Sequence, residues 1–288
     1  VSTVQAIAGP RLDLRGPLPV APLHSLLKTP GVVVVEGDDG RWLNGVNLIG
    51  YPASTPLAWN ACVPEASDAG VKDEGDPGDQ AQFDPFVCYL PVTCSTLSYP
   101  YIREWSETVL EATYSMAVEQ ALVGITQAGL GPNPSLGDGN VNVLAGGSAK
   151  SPAIALSYLE NAIGLTGRRG MIHTTPAVVS ALAAGGYNLD PSALLDPPGQ
   201  GLLTMNGTPL VSGDGYIGAT ANGLTVGPGQ DWMFASGPVE VRISPLVITD
   251  LRESLDRSDN VITFRAERWV LVTWDTSLQA AAKVDWDV

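Results

Sequence analysis

Histidine is almost missing from the chain: His24 and His173 are the only two. A Ser/His/Asp triad would have to use one of them. Neither sits at a zinc-ligand spacing from Cys62, Cys88 or Cys94. Three cysteines are an odd number for a long chain, and they fit reduced thiols better than a disulfide framework. No metal site is expected. Basic residues are scarce too, at 15 Lys and Arg against 30 Asp and Glu, for a net charge of −15. Duplex DNA binding needs a clustered basic footprint, and none is visible. Only Arg168 and Arg169 stand side by side, and they read as a solvated turn. No apolar run approaches the ~18 residues of a membrane span. The basic start and apolar core of a signal peptide are also missing, so secretion is not expected.

What is present is 44% hydrophobic residue content in 288 residues, enough for one large or two small cores. The 32 Gly and 23 Pro make about a fifth of the chain, below the ~25–30% that marks low-complexity disorder. A folded protein with many turns and long loops is expected. Residues 1–30 carry Pro10, Pro17, Pro19, Pro22 and Pro30, which remove amide donors and block helices. They read as an extended arm whose Leu12, Leu14 and Leu18 have little local core to join.

Two strand-like runs follow, Val32–Val35 and Arg41–Ile49, with the turn signal Asp38-Asp39-Gly40 between them. A hairpin is predicted there. Residues 64–79 are acidic and turn-rich. In this stretch Glu65, Asp68, Asp73, Glu74, Asp76 and Asp79 face the single Lys72. The stretch reads either as a solvated loop tip or as a loop making ion pairs with another subunit. Strand character returns at Phe86–Thr93, so residues 31–95 are expected to form one long two-stranded projection.

The longest helix is predicted over 101–128. Trp105, Val109, Ala112, Met116 and Val123 form one stripe, and Leu110, Tyr114, Ala117, Ala121 and Ile125 a second. Two apolar faces imply packing on two sides, and Gly129 and Gly131 are expected to end the helix. Ser151-Pro152 opens a second helix that Gly164 closes, and Thr175-Pro176 opens a third that stops at Gly185-Gly186. Short strands are predicted at Met171–Thr174 and near Pro209–Ser212, with 187–231 otherwise loop-rich. The end of the chain is β-rich, with long runs over Val239–Ile248 and Val261–Trp274. In the second run Ile262, Phe264, Ala266, Val270, Val272 and Trp274 share a face that Arg268 interrupts. The class is α+β, without a repeating βαβ wind.

Few motifs could carry chemistry. Gly213-Asp214-Gly215-Tyr216-Ile217-Gly218 matches G-x-G-x-x-G, but a dinucleotide site needs a following helix to receive the pyrophosphate. The residues after it, up to Gly227-Pro228-Gly229, cannot make one, so a glycine turn is expected and no cofactor. Ser148 and Lys150 lie in a polar loop with no oriented base. His173, on a predicted strand, reads as a structural histidine. No catalytic residues are expected, and no enzyme.

Taken in order, the segments Leu202–Val211, Ser236–Val241, Asn260–Arg268 and Asp275–Ala280 resemble the major capsid proteins of tailed phages, the Hong Kong 97 type, with wording near the C-terminus similar to those of actinobacterial phages. Leu202-Leu203-Thr204-Met205-Asn206-Gly207-Thr208-Pro209-Leu210-Val211 resembles the family's Gly-x-Pro-Val strand. Ser236-Gly237-Pro238-Val239-Glu240-Val241 resembles the strand after a glycine turn. Residues from Asn260 to Arg268 resemble the return strand ending in Arg-x-Glu-Arg, and Asp275–Ala280 the closing segment. Glu65, within Val63-Pro64-Glu65-Ala66, resembles the acidic loop of the projection.

The resemblance implies an N-terminal arm at 1–30 and an extended loop with its base at 31–98. It implies a peripheral domain of 99–150 plus 240–288 with a spine helix at 101–128, and an axial domain at 151–239. It implies a subunit that self-assembles through pentamers and hexamers into an icosahedral head. That head would be built in the bacterial cytoplasm, would enclose DNA without reading it, and would meet scaffolding, portal and decoration proteins. Glu65, Asp68, Lys72, Asp73, Glu74, Asp76, Leu12, Leu14 and Leu18 are the expected intersubunit contacts. Lys72 lies where some relatives form isopeptide crosslinks, but with no matched Asn none is expected here. An encapsulin-type nanocompartment shell, a minor capsid or head–tail joining protein, and a nucleotide-dependent enzyme are the alternatives.

Overall fold

The computed structural model describes residues 20, 22–37, 40–49, 80–95, 99–125, 133–187, 189, 201–250 and 261–287. Its longest strand, β12 (Val261–Trp274), organises a five-stranded sheet with β1 (Val33–Glu36), β4 (Phe86–Ser95), β10 (Val239–Ile243) and β11 (Val247–Asp250). β4 runs antiparallel to β12 from Ser95 opposite Val261 to Phe86 opposite Val270. β10 pairs with residues 270–274 of β12, and β11 with residues 264–267. β10 and β11 were expected as one run. They separate at Ser244-Pro245-Leu246, where proline has no amide to donate. The Ser244 amide bonds the Trp269 carbonyl at 3.0 Å, and the Ser244 hydroxyl accepts the Trp269 amide at 2.9 Å.

The second sheet has the order β5-β13-β9-β6-β8-β7. Its strands are β5 (Asn142–Val143), β6 (Met171–Thr174), β7 (Leu202–Leu203), β8 (Pro209–Ser212), β9 (Gln230–Ser236) and β13 (Gln279–Asp285). A two-stranded ribbon joins β2 (Val46–Ile49) to β3 (Gln80–Phe83). Three α-helices are described: α1 (Tyr99–Val123), α2 (Pro152–Leu165) and α3 (Pro176–Ala184).

Side-chain alternation puts the six-stranded sheet between two cores. Trp232 and Phe234 of β9 and Ala281 of β13 enter the core that also holds α1 and the five-stranded sheet. Met233, Ala235, Ala280 and Ala282 point the other way, into a core roofed by Leu156 and Leu159 of α2 and Val178 and Leu182 of α3.

Several expectations are corrected. The runs 32–35 and 41–49 do not pair as a hairpin. β1 instead adds parallel to β10, Val33 opposite Glu240, and Gly40–Asn44 curls into a 3-10 turn that buries Trp42. Among the described residues of the 31–95 stretch, β1 and β4 pair within the five-stranded sheet and β2 and β3 pair with each other as a ribbon; residues 50–79 lie outside the described residues. α1 ends at Val123, short of 128, because Gly124 takes φ +77°. The Ile125 amide then bonds the Gln120 carbonyl and the Gly124 amide the Ala121 carbonyl, the two bonds of a Schellman end. Gly129 and Gly131 lie outside the described residues. On the first apolar stripe Ala112 and Val123 are buried, but Trp105 and Met116 are exposed. α2 runs past Gly164 to Leu165 and is capped by Thr166. The interruption at Arg268 is accommodated under α1, where the guanidinium lies 5.0 Å from the Tyr114 ring centre and 3.2 Å from Glu111.

Candidate functional site

The expected contact residues Leu12, Leu14, Leu18, Glu65, Asp68, Lys72, Asp73, Glu74 and Asp76 lie outside the described residues. The remaining candidates are placed.

The G-x-G-x-x-G match is a glycine turn. Asp214–Tyr216 makes one 3-10 turn, and no helix follows. α1 occupies the space a phosphate would need. A Cβ on Gly213 would overlap the Glu119 carboxyl, and one on Gly215 would lie 2.5 Å from the Met116 carbonyl. The glycines are there for close approach of a helix.

Behind this turn lies a buried polar junction. His173 is fully buried on β6. Its Nδ1 meets the Tyr216 hydroxyl at 3.1 Å and its Nε2 the Ser236 Oγ at 2.7 Å. Ser236 donates to the Gly237 carbonyl at 2.8 Å, so it accepts from Nε2–H, and Tyr216 donates to Nδ1. Burial pushes the His173 imidazole down to about 3 and keeps it neutral. The imidazole thus bridges the glycine turn and the end of β9 inside the core. On the other side of the turn Glu119 accepts the Leu26 amide at 2.9 Å and the Gly215 amide at 3.0 Å. Sequence reasoning missed Glu119. Its signal was an acid spaced with Ala112, Met116 and Val123 on an apolar face.

Other candidates resolve into structural roles. Arg168 reaches Asp275 at 3.6 Å and Ser277 at 3.3 Å, tying the end of α2 to the β12–β13 turn. Burial pushes the Cys88 thiol up to about 12, so it stays protonated. Among the described residues no group of three or more His, Cys, Asp and Glu could hold a metal, and no helix is long and apolar enough to cross a membrane.

The surface offers an open groove of about 790 Å³ between α1 and β4. Phe86 and Leu110 are buried within its lining, and Tyr89 (60% exposed), Met116 (45%) and Trp269 (41%) stand along it. Large apolar side chains clustered in this way are typical of a contact surface.

No family model matches the sequence, and no curated protein is detectably similar to it. Solved structures do match. The capsid of an empty GTA particle superposes over 96% of this chain and 95% of its own, with TM-score 0.59 at 13% identity. The capsid of Ralstonia phage GP4 covers 99% and 98%, with TM-score 0.54 at 10% identity. The chain has the fold of a phage capsid protein. A chain of Gordonia phage Cozz agrees over 96% of this chain and 91% of its own, with TM-score 0.56 at 13% identity. The capsid fold thus spans nearly the whole chain, both sheets and α1 included.

Proposed function

We propose that this chain is the major capsid subunit of a tailed phage, self-assembling into the icosahedral shell that encloses the genome. The observation that carries this reading is the agreement in fold with capsid chains from end to end. On that reading α1 is the spine helix, residues 1–30 the arm and 31–98 the extended loop with its base. Residues 99–150 with 240–288 form the peripheral domain and 151–239 the axial domain.

Mechanism in such a protein is geometric. Heterologous contacts close into rings of five and six, and rings into a shell. Each contact can be weak, because one subunit meets several neighbours at once. The groove beside α1 supplies apolar area for one of these contacts. The acidic residues of the 64–79 loop and the apolar residues of the arm supply others. Scaffolding, portal and decoration proteins are the proposed partners. With a net charge of −15 the subunit would contain DNA rather than bind it, and its place would be the virion, after assembly in the host cytoplasm.

Sedimentation velocity of the purified chain, alone and co-expressed with its genomic neighbours, tests this. Particles of many subunits are expected. A monomer under both conditions, with saturable nucleotide binding, would favour an enzyme instead.

A further inference from the structure

Charge is scarce over residues 151–239. The described charged side chains there are Glu160, Arg168, Arg169, Asp214 and Asp231. Three of them are engaged. Glu160 accepts the Thr204 and Thr208 hydroxyls, Asp231 accepts the Thr175 hydroxyl and the Trp286 indole, and Arg168 pairs with Asp275. Arg169 and Asp214 are exposed, and among the described residues neither has an ion pair or a side-chain hydrogen bond. Glu119, which accepts the Gly215 amide next to Asp214, is acidic as well and offers it no partner.

Each free charge stands beside exposed apolar side chains. Arg169 follows the end of α2, whose outer face carries Ile154 (48% exposed), Tyr158 (40%) and Leu165 (69%). At roughly 100° per residue these three fall within about 40° of one another around the helix. They lie opposite Leu156, Leu159 and Ile163, which enter the core. Asp214 stands three residues before Ile217, which is 59% exposed. The six-stranded sheet holds the two patches apart. β6 and β8 run parallel, with Ile172 opposite Leu210 and Thr174 opposite Ser212. Arg169 leads into the start of β6, and the Gly213 amide bonds the Thr174 carbonyl at its end, at 3.0 Å. The length of β6 alone puts about 10 Å between those ends.

We propose that these two ends are the halves of one contact between copies of this chain: the α2 stripe and Arg169 of one subunit seat against Ile217 and Asp214 of the next. This contact rests on the reading of the chain as a shell subunit, and it names the surfaces that such an assembly joins. A single exposed charge is ordinary, since water satisfies it. Here an apolar face ends in a cation at one end of a sheet, and an apolar tip begins with an anion at the other. Two different, complementary patches are what a heterologous contact requires. Burial of the apolar side chains drives the contact, and the opposite charges fix which end meets which.

Charge reversal on the full chain tests the contact, with the assembled fraction read by sedimentation velocity alongside the wild type. Arg169→Asp and Asp214→Arg each set like charges against one another, and each should cut the assembled fraction at least about tenfold. Arg169→Asp combined with Asp214→Arg restores opposite charges and should restore assembly. Both positions are exposed, so the melting curves should stay at the wild-type position. Where a reversal abolishes melting, Arg169→Cys combined with Asp214→Cys decides, treated with a bis-maleimide and run on a denaturing gel. A ladder of covalent oligomers that neither single-cysteine variant gives is expected, and monomer alone overturns the contact. Wild-type particles with single reversals that assemble equally well, or a double reversal no better than the singles, overturn the contact and leave the shell reading standing. A wild type that never assembles overturns the shell reading and the contact with it.

Discussion

Replacing His173 by glutamine should make the chain more stable at pH 5 than at pH 8, and replacing Glu119 by glutamine should do the reverse. The reason lies in two buried groups on either side of the Gly213–Gly218 turn. His173 has a folded pKa of about 3 against an ordinary 6.5. The unfolded chain therefore binds the proton first as pH falls, and stability drops below pH 6.5. At pH 5 the loss is about 1.5 units, or roughly 2 kcal/mol at 1.36 kcal/mol per unit. Glu119 has a folded pKa of about 7 against 4.5, so the folded chain binds the proton first. Between pH 8 and pH 5 it returns roughly 2 to 3 kcal/mol. In the wild type the two nearly cancel.

His173→Gln keeps hydrogen-bonding atoms near Tyr216 and Ser236 but removes the titration. Glu119→Gln keeps one acceptor and removes the charge. Urea midpoints at pH 5 and pH 8 for the three proteins give the differences directly, since exposed carboxylates contribute alike to all. The expected spread between the two variants is about 4 kcal/mol in their pH 5 minus pH 8 values. Variants that track the wild type within about 1 kcal/mol would refute the reasoning, because neither group would then be titrating in the buried state described.

Gly215→Ala should lower stability by about 1–3 kcal/mol, because its Cβ would lie 2.5 Å from the Met116 carbonyl; an unchanged melting temperature would show that the turn and α1 are not in close contact. Asn133→Ala should cost about 1–3 kcal/mol, since its side chain bonds both the amide (2.7 Å) and the carbonyl (2.8 Å) of Asp84 at the β3–β4 corner, as thermal unfolding would read. Met116→Ser with Trp269→Ser should leave subunit melting within about 0.5 kcal/mol per site, as for exposed positions, yet reduce assembled particles in sedimentation. Equal particle yield would remove the groove from the contact surfaces.

Strands with a clear period were legible. Met171–Thr174 and Pro209–Ser212 fall where β-formers sit between turn residues, and Val261–Trp274 is one strand as read. The helix starts at Pro152 and Pro176 were legible because proline fits the first helical turn. β9 was missed because both of its faces are buried, so Trp232–Ala235 shows no alternation. β13 was missed because Ala280–Ala282 favours a helix, and only its place between β9 and β5 makes it a strand. The false hairpin at 32–49 had a sound turn signal. What it lacked was knowledge of a competing partner far along the chain, β10. Of the site, His173 and the glycine turn were legible from what their neighbours could not do. Glu119 was not, since a carboxylate on an apolar helix face looks like an error until the amides that need it are in view.

The central claim is that this chain builds shells, and electron microscopy of negatively stained protein after size exclusion tests it most directly. Closed polyhedral particles, or rings of five and six subunits in preparations co-expressed with genomic neighbours, are the predicted result. A field of monodisperse single subunits under every condition would contradict it.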